Sequence, residues 1–138
     1  MRRLIAFALL VLAPIVVEGC GSDAVTNPAE SAVGTFTLSS VDGGPLPLLI
    51  ISGEPKLEVL NDVLTFAAGG TFTQKTTFRF TEAGVPSVED HSELGTFTLE
   101  GSALSIHFPS DNSTTKATLS GDKISVTGQG HALVYVRH

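Results

Sequence analysis

The stretch that decides the fold is TFTQKTTFRF, residues 71–80. In an extended chain Phe72, Phe78 and Phe80 fall on one side of this stretch, and Lys75 and Arg79 fall on the other. Apolar residues that recur with a period of two predict a β-strand with one buried face, whereas an amphipathic helix would need a period of about 3.6. The stretch therefore predicts a half-buried strand.

Seven further runs show the same alternation and are rich in Thr, Val and Phe, which suit a pleated, half-buried surface. They are residues 34–38, 57–66, 95–99, 103–108, 114–119, 123–127 and 131–137. Short connections that contain Gly separate most neighbouring runs, as in β-hairpins. We predict an all-β fold, an eight-stranded up-and-down antiparallel meander closed into a small barrel, because closure removes exposed sheet edges.

Two connections are longer, and both are predicted to be loops. Residues 42–56 include the apolar patch 48–51, and residues 81–93 are polar and acidic. Loops of this length in a small barrel act as lids or binding elements, or extend into solvent without a function. Both interpretations stay open from the sequence.

The composition limits the possible classes of function. The 138 residues suffice for one domain. The net charge of −6 and the isoelectric point of about 5.0 argue against a nucleic-acid-binding protein, which would have a basic face. The single Cys excludes an internal disulfide and a four-cysteine zinc site.

Motifs of enzymes and metal proteins are missing from the sequence. The four histidines, His91, His107, His131 and His138, have no metal-ligand spacing. The sequence has no Gly-x-Ser-x-Gly nucleophile motif and no phosphate-binding glycine loop. We therefore predict a non-enzymatic protein without a metal or cofactor.

The first residues have the pattern of a secretory leader. Arg2 and Arg3 precede a run of fourteen residues, Leu4 to Val17, that is apolar apart from Pro14. This run is too short to span a membrane, which takes roughly 20 apolar residues. A basic start, a short apolar centre and a small residue at the end predict a signal peptide over residues 1–19.

The leader ends in Val17-Glu18-Gly19-Cys20, which resembles the lipobox of bacterial lipoproteins. That resemblance implies cleavage before Cys20 and acylation of Cys20 by fatty acyl chains such as palmitate, which would hold the protein on a membrane. Because Gly21 is not Asp, the inner-membrane retention signal of enterobacterial lipoproteins is absent. We therefore expect export to the bacterial cell envelope, and the outer membrane if the host has one. The alternative is cleavage by ordinary signal peptidase, which would leave Cys20 as a free thiol.

The residues after the leader are expected to form a lipidated Cys and a flexible tether, 20–33, since they contain turn formers and lack periodicity. Without residues 1–19 the chain has 13 acids and 6 bases, a net charge of −7. Such a surface repels anionic lipids and nucleic acid alike. Membrane attachment would therefore come from the lipid anchor.

Residues 34–138 resemble bacterial lipocalin-like domains. Lipocalins carry Gly-x-Trp in the first strand, near the barrel floor and under an Arg of the last strand; here Gly34 matches the Gly, Phe36 takes the Trp position and Arg137 matches the Arg. The resemblance implies structural roles for Gly34 and Arg137, a cation–π contact with Phe36, and a small hydrophobic ligand in the barrel. The same opening is similar to the META-type stress lipoprotein domain, the second candidate for the fold family.

The interior of the predicted barrel is aromatic. An eight-stranded barrel is just wide enough to be filled by its own side chains or to hold one small ligand, so the inward rings are either core or pocket lining. Gln74 and Thr76 lie among them and would orient the polar end of a ligand, because buried polar groups need partners. The expected ligand-binding residues are Phe36, Phe72, Gln74, Thr76, Phe78, Phe80, Phe97 and Phe108.

The sequence thus predicts an envelope-anchored, non-enzymatic, monomeric lipoprotein with a lipocalin-like barrel that binds a small hydrophobic molecule. The alternative is a packed barrel without a ligand, serving as a structural or protein-interaction module that presents residues 48–51 or 81–93.

Overall fold

A computed structural model describes residues 28–128 and 130–138. After a short 3-10 helix, Pro28–Ala32, the chain forms nine β-strands. In chain order they are β1 (Gly34–Val41), β2 (Leu48–Ile51), β3 (Lys56–Ala67), β4 (Thr71–Glu82), β5 (Val85–Glu100), β6 (Ala103–Phe108), β7 (Ser113–Ser120), β8 (Lys123–Gly128) and β9 (His131–Arg137).

Eight of these strands close into an antiparallel up-and-down barrel. Each strand from β3 to β8 pairs with the next strand of the chain, and β1 closes the barrel by pairing with both β9 and β3. β2 is an additional strand that pairs with residues 57–59, near the start of β3. The predicted fold class is therefore confirmed.

Two predicted loops are strands instead. The connection 42–56 contains β2, which the sequence pattern missed because LLII is a continuous apolar run without alternation. The segment 81–93 is not an acidic loop: β4 continues to Glu82 and β5 begins at Val85, so the two strands form one long hairpin. Residues 85–92 are exposed on both faces of the strand, so they lack the alternation of polarity that predicts a half-buried strand.

The barrel has two different ends. The floor is the end that carries the turns at 68–70, 101–102 and 121–122, together with the start of β1. The mouth is the other end, where β1 finishes and β2, the 109–112 turn and the start of β9 lie. From the mouth extends the arm, which we define as residues 78–92 of the β4–β5 hairpin.

The floor is closed by aromatic packing. Phe66 lies at the centre of this cluster, with ring centroids 4.8 Å from Phe97, 5.8 Å from Phe36 and 6.0 Å from Phe72. These four rings are almost fully buried, as are Leu104 and Ile124 beside them. The contacts of Phe66 with Phe36 and Phe97 are edge-to-face, a geometry that adds stability beyond the area that the rings bury.

Arg137 completes the floor from below. Its guanidinium carbon lies 4.5 Å from the centroid of the Phe36 ring, and its nitrogens donate to the backbone oxygens of Val33 and Ser31. Gly34 has a φ of +140°, and a Cβ on it would lie 2.5 Å from Arg137 Nη1. This position therefore needs Gly for two reasons, its backbone angle and the close approach of the guanidinium.

The predicted leader 1–19 and Cys20 lie outside the described residues. Within the segment 20–33, residues 28–32 form the 3-10 helix, and Ala32 is fully buried in the core cluster. The end of the expected tether is thus packed on the barrel, since Ala32 is buried there and Arg137 donates to the backbone oxygens of Ser31 and Val33. Within the described ranges, no helix has both the length and the apolar character that a membrane span requires.

Candidate functional site

The mouth of the barrel opens into a cavity of about 630 Å³. Its walls come from the ends of five strands, β1, β2, β7, β8 and β9. Much of the wall is apolar, formed by Val41, Val126, Leu133 and the β2 residues 48–50. Thr115 and Thr127 add hydroxyl groups, so the cavity combines an apolar wall with a few polar positions, as small-molecule sites do.

A second, smaller cavity of about 200 Å³ lies deeper in the barrel. It shares Thr115, Val126 and Leu133 with the mouth cavity, so the two spaces adjoin. Two of its other lining residues, Gln74 and Tyr135, carry polar groups. A molecule that enters at the mouth would meet these groups at the inner end.

Gln74 and Tyr135 both donate to a buried carboxylate. Asp62, on β3, is only 5% exposed. Its Oδ2 accepts from Gln74 Nε2 at 2.8 Å and from the Tyr135 hydroxyl at 2.6 Å, and its Oδ1 accepts from the Thr76 hydroxyl at 2.9 Å. These bonds join three strands, β3, β4 and β9, and the bond to Tyr135 reaches over β1, which lies between β3 and β9 in the sheet. We call Asp62, Gln74, Thr76 and Tyr135 the Asp62 cluster.

The Asp62 cluster contains no basic side chain. In residues 28–128 and 130–138, every ion pair joins other groups, and none includes Asp62. Burial and the negative charge of Asp62 raise the pKa of Tyr135 far above its usual value. Tyr135 therefore holds its proton and remains a hydrogen-bond donor to the carboxylate.

The rim of the mouth carries a titratable pair. His131 Nδ1 lies 2.7 Å from Asp42 Oδ2, and the Ala132 amide donates to Asp42 Oδ1 at 2.7 Å. These hydrogen bonds, with that of His131 as the larger cause, lower the pKa of Asp42. The pair links the end of β1 to the start of β9 beside the mouth cavity, which His131 also lines.

The eight expected ligand-binding residues do not share one site. Phe36, Phe72 and Phe97 belong to the packed floor, with at most 4% of each side chain exposed. Phe78 and Phe80 lie on the arm, with ring centroids 6.4 Å apart.

The remaining three expected residues lie at the inner cavity or next to it. Gln74 and Phe108 line the inner cavity. Thr76 donates to Asp62 beside Gln74. Alternation along a strand therefore indicates the side of the strand on which a residue lies but not its depth in the barrel.

Two residues of the Asp62 cluster were missed by the sequence analysis. Asp62 has the same parity as Leu64 and Phe66, and Tyr135 has the same parity as Leu133 and Arg137. This parity was a usable signal for the side of the sheet on which they lie. It could not indicate that Tyr135 meets Asp62, since that contact joins residues far apart in the chain and depends on the pairing of β1 with both β3 and β9.

The arm has its own ion pairs on the face opposite to Phe78 and Phe80. Glu58, on the neighbouring strand β3, contacts Arg79 at 2.7 Å and Lys56 at 3.0 Å. These two basic groups, Arg79 first, lower the pKa of Glu58 to about 2. Further along, Asp90 contacts Lys75 at 2.8 Å and accepts from Thr77. These pairs stabilise the arm and offer no open coordination site.

Among the described residues, no group of His, Cys, Asp and Glu is arranged to hold a metal ion. Comparisons with protein-family models, with curated proteins and with solved structures found no match to this chain. The architecture, a closed eight-stranded barrel with one added strand, is consistent with a lipocalin-like fold.

Proposed function

We propose that the protein binds a small, largely apolar molecule through the mouth of the barrel, without a catalytic role. The observation that carries this proposal is the cavity of about 630 Å³, which is in the size range of small-molecule sites and adjoins an inner cavity with polar groups. A barrel that is packed with its own side chains would not contain such a space. The apolar side chains that the sequence places in the interior fill the floor and leave the mouth open.

Binding can be tested by titrating the purified full chain with a hydrophobic fluorophore and then displacing it with small apolar competitors. Leu133→Trp places a large ring at the junction of the two cavities and is expected to weaken binding about tenfold or more. Leu94→Trp is the matched control, since Leu94 is 70% exposed and lines neither cavity.

A second variant separates loss of binding from loss of folding. Ile50 is 51% exposed on the cavity wall, so Ile50→Asp should leave the fold intact while making the wall polar. Weaker binding in this variant would support the site. No saturable binding to the unmodified chain, or binding that neither variant changes, would contradict the proposal.

We propose in addition that the protein is exported and anchored in the bacterial cell envelope through lipidated Cys20. The support is the lipobox-like string at residues 17–20 behind a basic and apolar leader. Cells labelled with a palmitate analogue should yield labelled protein that fractionates with membranes. Cys20→Ser should remove both the label and the membrane attachment; a variant that stays labelled and membrane-bound would exclude an anchor at Cys20.

The second candidate function is a protein-interaction module of the envelope. It is favoured by the exposed apolar side chains of β2, Leu49, Ile50 and Ile51, which are 47–51% exposed, and by Val85 and Val88 on the arm. Crosslinking in cells should then trap one specific partner, and Leu49→Asp should abolish the crosslink. This outcome together with silent ligand titrations would favour the module over the ligand-binding protein.

A further inference from the structure

Asp62 is a buried acid without a basic partner. Both of its carboxylate oxygens accept hydrogen bonds, and all three donors, Gln74, Thr76 and Tyr135, are neutral. Burying a charge is costly unless it is paired, and hydrogen bonds from neutral groups reduce this cost without cancelling the charge. The interior near Asp62 therefore carries a negative potential that no basic group of the described residues neutralises.

The hydrogen bonds to Asp62 also determine what the inner cavity presents to a ligand. Tyr135 has one hydroxyl proton and donates it to Asp62, so its oxygen offers only lone pairs to the cavity. Gln74 directs its amide nitrogen at Asp62, which leaves its carbonyl oxygen as an acceptor. Both residues line the inner cavity. The polar end of the site therefore favours a ligand that donates hydrogen bonds.

Other groups around the cavities agree with a cationic ligand. The ring of Phe108 lines the inner cavity, and an aromatic face attracts ammonium groups. Two basic residues line the mouth cavity. His131 is paired with Asp42, whereas Lys116 donates to the neutral Ser105 at 2.6 Å and keeps its charge on an exposed part of the wall. The inner cavity, which Lys116 does not line, is thus the negative part of the site.

We propose that the inner cavity takes the protonated amino group of an apolar amine, whose hydrocarbon part occupies the mouth cavity. This inference rests on the proposed ligand-binding function and adds the class of ligand. The ammonium group would donate to the oxygens of Gln74 and Tyr135 with the Asp62 charge directly behind them. A fatty acid of the same length would place a second negative charge there and is disfavoured.

The test uses three ligands with the same hydrocarbon chain: octylamine, octanol and octanoate. Each is titrated by calorimetry into the purified full chain at neutral pH. Octylamine is expected to bind about tenfold more tightly than octanol, because a charge pair in a weakly polarisable interior is stronger than in water, and octanoate should bind most weakly. Asp62→Asn removes the charge and should bring octylamine to the affinity of octanol.

Glu100→Gln is the matched control, since Glu100 is an exposed acid at the floor end and lines neither cavity. It removes one negative charge from the chain and should keep the preference for octylamine. If Asp62→Asn does not fold, Gln74→Lys serves instead, because it supplies a basic partner to Asp62 and should also abolish the preference.

The outcomes separate this inference from the function on which it rests. If none of the three ligands binds and the fluorophore titration is also silent, the ligand-binding function itself fails. If octanol or octanoate binds as tightly as octylamine, the protein binds ligands but the inference about amines is overturned. A preference for octylamine that persists in folded Asp62→Asn, or in Gln74→Lys, would also overturn it.

Discussion

The floor and the mouth of the barrel are made of the same alternating strands, yet one is packed and the other is hollow. At the floor, four Phe rings, Leu104 and Ile124 fill the interior, and Arg137 and the 3-10 helix close it from below. At the mouth, β1 ends at Val41, and the inward positions of β7, β8 and β9 carry the smaller side chains of Thr115, Val126 and Leu133. Ring-bearing side chains fill the floor, and the smaller side chains above them leave room for the inner cavity and the mouth cavity.

The floor and the mouth should therefore contribute differently to the stability of the barrel. The floor supplies most of the stability, since apolar burial contributes in proportion to the area removed from water. The Asp62 cluster lies between the two regions and joins β3, β4 and β9 through polar contacts. The arm is exposed on both faces over residues 85–92, and the mouth encloses a cavity, so both should contribute less to stability than the floor. Substitutions at successive levels should therefore have effects of decreasing size.

The largest effect is expected at the floor. Phe66→Ala removes the ring that contacts three other Phe rings and should lower the free energy of unfolding by about 3–5 kcal/mol. Phe80→Ala, on the arm, is the matched control and should cost about 2 kcal/mol or less, because that ring is only partly buried and lies near one other ring, that of Phe78. Urea denaturation measures both values. Equal losses would show that the arm is as much a part of the core as the floor.

An intermediate effect is expected at the Asp62 cluster. Tyr135→Phe removes one donor from the buried carboxylate and should cost about 1–3 kcal/mol. In the unmodified chain the folded state raises the pKa of Tyr135, so its contribution is complete below the ordinary value of 10.0 and is lost above it. Stability should then fall by about 1.4 kcal/mol per pH unit in that alkaline range.

Tyr135→Phe has no group that titrates at this position, so it should lack this part of the alkaline loss. Thermal denaturation of both proteins across the alkaline range provides the comparison. Parallel curves for the two proteins would mean that Tyr135 does not hold its proton in the folded state.

The smallest effect is expected next to the arm. Because Arg79 and Lys56 lower the pKa of Glu58 to about 2, its contribution is complete above the unfolded value of 4.5 and is lost as the pH falls toward 2. Glu58→Gln should therefore be nearly as stable as the unmodified chain in acid and slightly less stable at neutral pH. Urea midpoints measured across this acidic range would reveal the difference. A variant with the same pH dependence as the unmodified chain would indicate that the ion pairs contribute nothing measurable.

The comparison of regions also explains which features the sequence could predict. All eight barrel strands follow from alternation, because the side of a strand on which a residue lies depends only on its place in that strand. Alternation of apolar and polar residues does not predict the arm or β2, for opposite reasons. β5 is exposed on both faces from Val85 to Ser92, and β2 is a short run of four apolar residues. Neither pattern has the contrast between two faces on which the prediction depends.

The sequence likewise predicted only part of the candidate site. The sequence placed Gln74 and Thr76 inside the barrel and required partners for them, but their partner Asp62 was not identified. Its parity is shared with Leu64 and Phe66 and is a signal for its side of the strand. The pattern within one strand gives no signal for its partners, because Gln74, Thr76 and Tyr135 lie on other strands. The sequence could not predict how deep each residue lies along the barrel axis, since that depth depends on the register between strands.

What the sequence by itself determined is the all-β class, the set of inward side chains and the acidic, cysteine-poor composition, because these depend on residue type and local period. Only the tertiary structure decided that the rings of Phe36, Phe66, Phe72 and Phe97 pack together at the floor while the mouth stays open. It also decided that Tyr135 reaches Asp62, although 73 positions separate them in the chain. The physical reason is that barrel closure and strand register bring together strands that are far apart in the chain. Neither closure nor register is encoded in any single strand.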